Sequence, residues 1–282
     1  MKRNFIIALA LFSLIWVSCH KNENTFVNYQ KGINASKYYA QGQQMMALLM
    51  STYFKSISDS VLFADGRSKI DGADIFYFDE PIQRILIQYP PWGNADGYGH
   101  WRENSYEAST PEHFNDSLAL VTFVFTDFSY DKDTLMVKNM TLLNMGKKNK
   151  INEQYNLKAD QIDLLYSDIT LVFSFDMAEM FLRFKDPSSL YHTANDSFAI
   201  WGNMDGQTND NMSFTSEIYP DSTLMVNFSC SWLKQGPAII NTAYFQYITN
   251  VIFNTQGNCE NQFMAVINGN AFFYPIDNWN GK

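Results

Sequence analysis

The stretch LALVTFVFT, residues 118–126, is the clearest of the many short apolar runs that decide the fold. Runs of this kind recur from residue 60 onward, and Asp, Asn, Gly and Ser residues separate them. Such spacing is typical of antiparallel sheets. Because apolar residues fill both alternating positions of residues 118–126, we expect that strand to be covered on both faces. The predicted strands are residues 75–78, 83–89, 118–128, 134–143, 162–165, 170–175, 179–184, 197–201, 212–218, 223–232, 237–241, 244–253, 263–268 and 271–276.

Residues 28–58 precede these runs and show apolar side chains at spacings of three to four, which indicates a helix with one face packed against the rest. Gly32 and Gly42 each weaken a helix by up to ~1 kcal/mol relative to alanine, so the helix is expected to break into two pieces. The Met-rich stretch, residues 45–50, is predicted to face the core rather than to form a groove for a lipid or ligand.

No segment between the predicted strands is long and helical enough for a parallel crossover, which argues against an α/β enzyme scaffold. The predicted fold class is therefore mainly β. We expect an antiparallel β-sandwich or meander-type sheets with an N-terminal α-helix.

The composition limits the partners of this protein. The chain has 282 residues, of which 46% are hydrophobic and 17% charged, and its formal net charge is −9. These values exclude a disordered polymer, and an acidic balance repels phosphate backbones, so no nucleic-acid partner is expected. Aromatic residues make up 16% of the chain, whereas only four His are present. We expect an aromatic-rich β protein with no metal site and no cofactor.

The N-terminus carries the pattern of an export signal. Lys2 and Arg3 precede an apolar run, residues 5–17, which is too short to span a bilayer of ~30 Å. The run ends at Ser18-Cys19 and resembles a bacterial lipobox, in which Cys19 is diacylated and becomes the mature N-terminus. An ordinary signal peptide cut near Ser18 is the alternative.

The location follows from the residues around this cysteine. Removing the signal makes the acidic body more acidic still, so lipid rather than charge must hold it to the membrane. His20 follows Cys19 where Asp is associated with retention in the inner membrane, so we expect the outer membrane. The sequence leaves open the periplasmic face and the cell surface.

Four segments make up the predicted domain organisation. Residues 1–18 are the signal peptide, 19–27 a tether, 28–145 the N-terminal helix plus a first β layer, and 151–282 a second β layer. The basic loop GKKNK, residues 146–150, is the candidate hinge. One continuous domain, residues 28–282, is the alternative.

Cys230 and Cys259 remain once Cys19 carries the lipid. Two such cysteines in an exported, oxidising compartment pair more often than not, so a disulfide is predicted. Two buried free thiols are the alternative. No His flanks either cysteine or follows His192, which argues against a catalytic thiol.

Aromatic residues near predicted turns are the candidate ligand-binding residues. Exposed rings stack on sugars or anchor partner proteins. The alternative is that these rings cover the ends of a β core. The candidates are Trp92, Tyr98, Trp101 and Trp201.

Four Asp-Ser or Asp-Thr pairs, most followed by an aliphatic residue, are similar to the O-glycosylation acceptor of exported Bacteroidetes proteins. The alternative is that such pairs form the turns that precede strands. The candidate acceptors are Ser60, Ser117, Thr134 and Ser222.

The sequence contains only weak matches to the motifs of known enzymes. Ser231 and Lys234 match the S-x-x-K pattern, but side chains three apart in a strand point to opposite faces. His100, His113 and His192 are predicted to be solvated loop residues. A glycoside hydrolase needs two converging acids, and the sequence does not place a pair together. The candidate acids are Asp74, Asp79, Glu80, Asp127, Glu179 and Glu217.

The C-terminal region contains CSWLKQG, residues 230–236, followed by NVIFNTQGNCENQFMAVING, residues 250–269. Together with the lipobox, this pattern resembles a family of Bacteroidetes outer-membrane lipoproteins. Thr255-Gln256 stands where that family has an aromatic-Gly pair, and Glu260 replaces an Asp. The resemblance implies an envelope location and an all-β body, and it implies no activity.

We therefore expect a lipoprotein of the cell envelope, anchored in the membrane by its N-terminal lipid. Its expected role is that of a non-enzymatic binding or adhesion module for a glycan or another envelope protein. One alternative is an envelope-assembly or pilus-accessory component, which would show a long unpaired edge strand. A further alternative is a periplasmic hydrolase with paired carboxylates.

Overall fold

A computed structural model describes the backbone of residues 2–97, 99–165, 172–186, 195–254 and 257–276, and side chains from Tyr29 onward apart from Val172. It contains the helices α1 (Lys2–Ser56) and α2 (Ser60–Asp65). The strands are β1 (Arg67–Ile70), β2 (Ala73–Phe78), β3 (Gln83–Gln88), β4 (Asn94–Ala95), β5 (Trp101–Thr110), β6 (Leu120–Tyr130), β7 (Asp133–Lys138), β8 (Met140–Lys147), β9 (Glu153–Leu165), β10 (Val172–Phe184), β11 (Ser197–Gln207), β12 (Ser213–Ile218), β13 (Leu224–Asn227), β14 (Gly236–Thr242), β15 (Thr249–Phe253), β16 (Phe263–Ile267) and β17 (Asn270–Tyr274).

The strands form one antiparallel sheet in which neighbours in sequence are mostly neighbours in space. The main path is β1, β2, β3, β5, β6, β8, β9, β10, β11, β12, β14, β15, β16 and β17. The short strand β4 pairs with β5, β7 lies beside β6 and β9, and β13 pairs with β11. The predicted fold class, a mainly β antiparallel structure with an N-terminal helix, is confirmed.

The sheet surrounds α1. Every residue from Gly32 to Ile57 is buried except Asn34, Lys37 and Lys55, which are half-buried. A helix that is apolar on one face would pack on one side only, whereas this one contacts strands from both halves of the sheet. Tyr38 packs on Phe173 of β10, with ring centroids 4.8 Å apart. The predicted core position of the Met-rich stretch is confirmed, because Met45, Met46 and Met50 are all buried.

Gly32 and Gly42 do not divide α1, as the sequence had suggested they would. A Cβ at Gly42 would lie 2.6 Å from the ring of Phe175 and 2.8 Å from Met204. The absence of a side chain at Gly42 therefore lets the sheet pack closely against the helix. Close approach of the surrounding strands, rather than a break in the helix, is what these glycines provide.

Residues 120–126 of β6 differ from expectation, because only one face of this part of the strand is covered. Val121 and Phe123 point into the core, whereas Leu120 and Val124 are exposed. The predicted strand 134–143 is divided into β7 and β8 at Asn139, which has a left-handed backbone with φ of 50°.

The basic segment at residues 146–150 begins in the last two residues of β8 and leads toward β9, which pairs directly with β8. The sheet therefore continues from one side of this segment to the other. In the part of the chain that the structure describes, no helix is both long and apolar enough to cross a membrane.

Cys230 and Cys259 form a disulfide with their Cα atoms 5.6 Å apart. It joins the segment after β13 to the segment before β16, and the two cysteines are 29 residues apart in sequence. Closing a loop of that length restricts the unfolded chain more than the folded one.

Removing this disulfide should lower the free energy of unfolding by about 3.5 kcal/mol, the value expected for restricting a loop of this size. Urea unfolding of the Cys230→Ser, Cys259→Ser double variant measures the loss. Wild-type protein in a strong reductant should show the same shift, and the double variant should not respond to the reductant. Equal stability of the oxidised wild type and the double variant would contradict the prediction.

Candidate functional site

The most exposed indole of the described residues lies in the connection between β3 and β5. Trp92 is 79% exposed, and Trp101, the first residue of β5, is 38% exposed. Gly93 has a φ of 85°, and a Cβ there would overlap the indole of Trp101. The Trp101 indole therefore packs against the residue that follows Trp92, and we call this region the aromatic loop (residues 90–101 without Tyr98). Trp101 Nε1 donates a hydrogen bond to Glu103 at 3.2 Å.

A buried polar network lies under the aromatic loop. Asp131 accepts the backbone N–H of Trp101 at 2.7 Å and lies 2.9 Å from Nδ1 of His100. Arg102 donates from Nε and Nη2 to one oxygen of Asp96, at 2.8 and 2.7 Å. Asp96 also accepts the backbone N–H of His100 at 2.9 Å. Since Asp96 lies in the loop and Arg102 in β5, the ion pair fixes the loop to the sheet.

The prediction that His100 is a solvated loop residue is wrong, because its ring is buried between elements of the core. The hydroxyl of Tyr130 is 3.2 Å from its Nδ1, and the two rings stack with centroids 5.1 Å apart. His113 is exposed and stacks on Phe63, and His192 lies outside the described residues.

The electrostatics of this network favour its charged forms. Burial raises the pKa of Asp131, but the hydrogen bond and charge of His100, the Trp101 N–H and the Arg102 charge together bring it below its ordinary value. Burial lowers the pKa of Arg102, yet the adjacent Asp96 carboxylate raises it above its ordinary value. The guanidinium also lies over the ring of Tyr130, 4.6 Å from the centroid.

The segment after β13 supports the aromatic loop from the other side. Trp232 meets the ring of His100 edge-on, with centroids 5.2 Å apart. Gln44 of α1 holds this segment, because its Nε2 donates to the Ser231 carbonyl at 2.6 Å and its Oε1 accepts the Leu233 N–H at 2.8 Å. The helix, the disulfide-linked segment and the aromatic loop are thus connected.

Of the four predicted ligand-binding residues, Trp92 and Trp101 both lie in the aromatic loop, where the Trp101 indole covers Gly93. Trp201 lies apart from them in β11, where it is half-buried against the core opposite Met180. Tyr98 lies outside the described residues. Trp232 of the supporting segment was not among the predicted site residues, since its sequence context suggested an ordinary strand.

The candidate O-glycosylation residues are spread over the surface. Ser60, Ser117 and Thr134 are exposed, and Ser222 is half-buried in the turn after β12. At the first pair, Asp59 caps α2 by accepting the Val61 N–H at 2.9 Å, which is the local role that the turn alternative expects. Glycosylation at these positions stays a prediction.

Among the candidate acids, Glu179 lies inside the molecule. Its Oε2 accepts a hydrogen bond from Gln43 of α1 at 3.0 Å. Burial raises the pKa of Glu179 to about 8, against the smaller lowering effect of Gln43. Within the described residues, Glu179 Oε1 and Gln43 Oε1 have no hydrogen-bond partner. A protonated Glu179 can donate to that amide oxygen, which satisfies both groups.

No group of three or more His, Cys, Asp or Glu in the described part of the chain could hold a metal ion.

Because the carboxyl of Glu179 binds its proton more tightly when folded, with a pKa of about 8, stability should fall as the pH rises from ~4.5 to ~8. The slope from this group approaches roughly 1.4 kcal/mol per pH unit. Glu179→Gln removes the titration but keeps the size of the side chain. Urea unfolding from pH 4 to 9 should show the variant gaining on the wild type as the pH rises. A difference in unfolding free energy that does not change with pH would contradict this assignment.

Comparisons with protein-family models, with curated proteins and with solved structures found no match.

Proposed function

We propose that this protein is a lipoprotein of the outer membrane that binds a glycan through its aromatic loop and catalyses no reaction. The single observation that supports binding most directly is the exposed indole of Trp92, which neighbours in sequence the Gly93 that the Trp101 indole covers. Exposing a large aromatic ring to water is unfavourable, and exposed rings commonly serve as anchors for a partner.

A glycan is the ligand class that best suits these side chains. The apolar face of a sugar ring can stack on an indole, while its hydroxyl groups need polar partners at the edge. The carboxylate of Glu103, held beside Trp101 by a hydrogen bond of 3.2 Å, is such a partner. Binding sites combine apolar area with a few fixed polar groups in this manner.

The buried network favours binding because it holds the loop in one arrangement before the ligand arrives. The Asp96–Arg102 pair is almost fully buried, with a closest approach of 2.7 Å, so opening the loop would leave a charge without its partner in the core. A loop that is already ordered loses less conformational entropy when it binds.

Trp92→Ala and Trp101→Ala should each weaken glycan binding at least about tenfold, since a central aromatic anchor contributes on the order of 2 kcal/mol. A glycan array followed by calorimetry with the best ligand measures the loss. Tyr219→Ala, which removes a similarly exposed ring from the turn after β12, is the matched control and should bind as the wild type does. The thermal stability of Trp92→Ala should be unchanged because Trp92 is largely exposed. Full binding by both Trp variants would contradict the site.

The lipid anchor at Cys19 is tested separately. Cells grown with a clickable fatty acid should yield labelled wild-type protein in the outer-membrane fraction, and the Cys19→Ala variant should be unlabelled. The thioether-linked glyceride can form only on the cysteine sulfur, so no other residue substitutes. An unlabelled wild type would contradict the anchor.

An envelope-assembly role is a second candidate. Within the described residues, β1 and β17 each pair on one side only, and β17 exposes Phe273 on its outer face. An open strand edge can accept a strand from another chain. Both edges are short, with four and five residues, so this candidate has less support than the aromatic loop. A stoichiometric protein partner in a pull-down from the native envelope, with no glycan bound on an array, would favour it.

A further inference from the structure

We propose that the protein surface around the point where α1 leaves the sheet is a contact surface for the interface of a lipid bilayer. We call it the helix-exit surface and define it by Tyr29, Tyr244, Tyr247, Ile248 and Phe272. The inference rests on the proposed lipid anchor, and it adds that the folded body lies on the bilayer in a fixed orientation.

Two connections of the sheet flank the helix at this point. The ring of Tyr29 lies 6.0 Å from that of Tyr247, in the β14–β15 connection, and 6.0 Å from that of Phe272 in β17. Its hydroxyl accepts hydrogen bonds from Asn268 and Asn270 at 3.4 and 3.3 Å. The helix is therefore held to the sheet at Tyr29, and α1 extends N-terminal to this residue as far as Lys2.

The part of this surface that lies in the β14–β15 connection is exposed and carries no charged side chain. Tyr244 is 96% exposed and Ile248 is 55% exposed. From Gly236 to Ile276 the sequence contains a single charged residue, Glu260, although the whole chain has 29 acidic residues. Tyrosine rings with an apolar body and a polar hydroxyl are enriched where hydrocarbon meets water at membrane interfaces.

The short distance to the proposed anchor identifies the bilayer as the occupant. Tyr29 lies ten positions after Cys19 in the sequence. As a continuation of α1 they span ~15 Å, and even fully extended they reach no more than ~36 Å. Whatever surface surrounds Tyr29 must then face the membrane closely. An acidic surface there would be repelled by anionic headgroups, whereas a neutral aromatic surface can settle among them.

The test uses the full-length, lipidated protein in phosphatidylcholine vesicles, some of which contain a spin-labelled lipid that quenches fluorescence. Cys19 carries lipid and the other two cysteines are paired, so one introduced cysteine is the reactive thiol. Ile248→Cys carries an environment-sensitive dye at the helix-exit surface. Val61→Cys is the matched control, because Val61 is 52% exposed and follows the opposite end of α1, ~40 Å along the helix from Tyr29.

We expect the dye at residue 248 to shift to shorter wavelength on vesicles and to lose most of its emission to the spin-labelled lipid. The dye at residue 61 should show neither change. Flotation of the vesicles, measured in parallel, tests the lipid anchor separately from the contact of the helix-exit surface with the bilayer. Protein that floats but shows equal quenching at both positions overturns the helix-exit surface and leaves the anchor intact.

Two other outcomes also decide the matter. Protein that fails to float overturns the anchor and, with it, the contact with the bilayer. Pyrene attached at residue 248 reports on a second copy of the chain in the same place. Excimer emission that rises with protein density, without quenching by the spin-labelled lipid, would assign the surface to self-association and overturn the proposal.

Discussion

The packing of α1 against the inner face of the sheet is the interaction on which the rest of the structure depends. A lone helix is marginally stable in water, and a curved sheet with an apolar inner face has no core until something fills it. Phe54 illustrates the mutual dependence, since its ring contacts Tyr155 of β9 at 4.9 Å and Phe198 of β11 at 5.5 Å. Strands far apart in sequence are therefore held together through one helix side chain.

Polar contacts then fix where along the sheet the helix lies. Near its C-terminal end, Lys55 pairs with Asp71 at 2.7 Å. Just beyond that end, Ser58 accepts a hydrogen bond from Arg183 of β10 at 2.6 Å, and the same Nη2 donates to Asp196 at 2.8 Å. Apolar packing alone tolerates small shifts along the axis, whereas buried charges do not, because a shift would leave one of them without its partner. This fixed position allows Gln44 to meet the segment that supports the aromatic loop.

Much of the strand pattern could be predicted from the sequence, because turn residues separate the apolar runs. The errors have physical causes. Strand β5 was missed since one of its inward positions is Arg102, which is buried only because Asp96 pairs with it. The helix was expected to have a solvated face, but the sheet encloses it, so Gln43 and Gln44 serve buried partners instead of water. The contacts of Gln43 and Gln44 join residues more than a hundred positions apart, and periodicity within one segment contains no information about them.

The candidate site was predictable only in part, for the same reason. Trp92 and Trp101 lie close in sequence, and their clustering near a glycine indicated a loop surface. Trp201 begins the sequence Trp-Gly-Asn, which also occurs at residues 92–94, yet residues 201–203 lie within β11, where the ring packs on the core. A repeated motif thus indicates similar local sequence and not similar exposure. His100 and Trp232, which meet 5.2 Å apart, are brought together only by the folded sheet.

The position of the aromatic loop along α1 gives the two proposed surfaces a common geometry. Gln44, which holds the segment beneath the loop, lies fifteen residues from Tyr29, or ~22 Å along the helix. Near the other side of the loop, the Ala95 carbonyl lies beside Gly72. Gly72 follows Asp71, which pairs with Lys55 of α1. Lys55 lies about 17 Å beyond Gln44 along the helix. A body resting on a bilayer at the helix exit would therefore hold Trp92 and Trp101 some 20 to 40 Å from the lipid along the helix axis. Because α1 is a single helix held to the sheet at Tyr29 and at Lys55, that height is set by the fold and not by the tether. An anchored protein arranged in this way reaches a ligand outside the headgroup layer without needing a long flexible stalk.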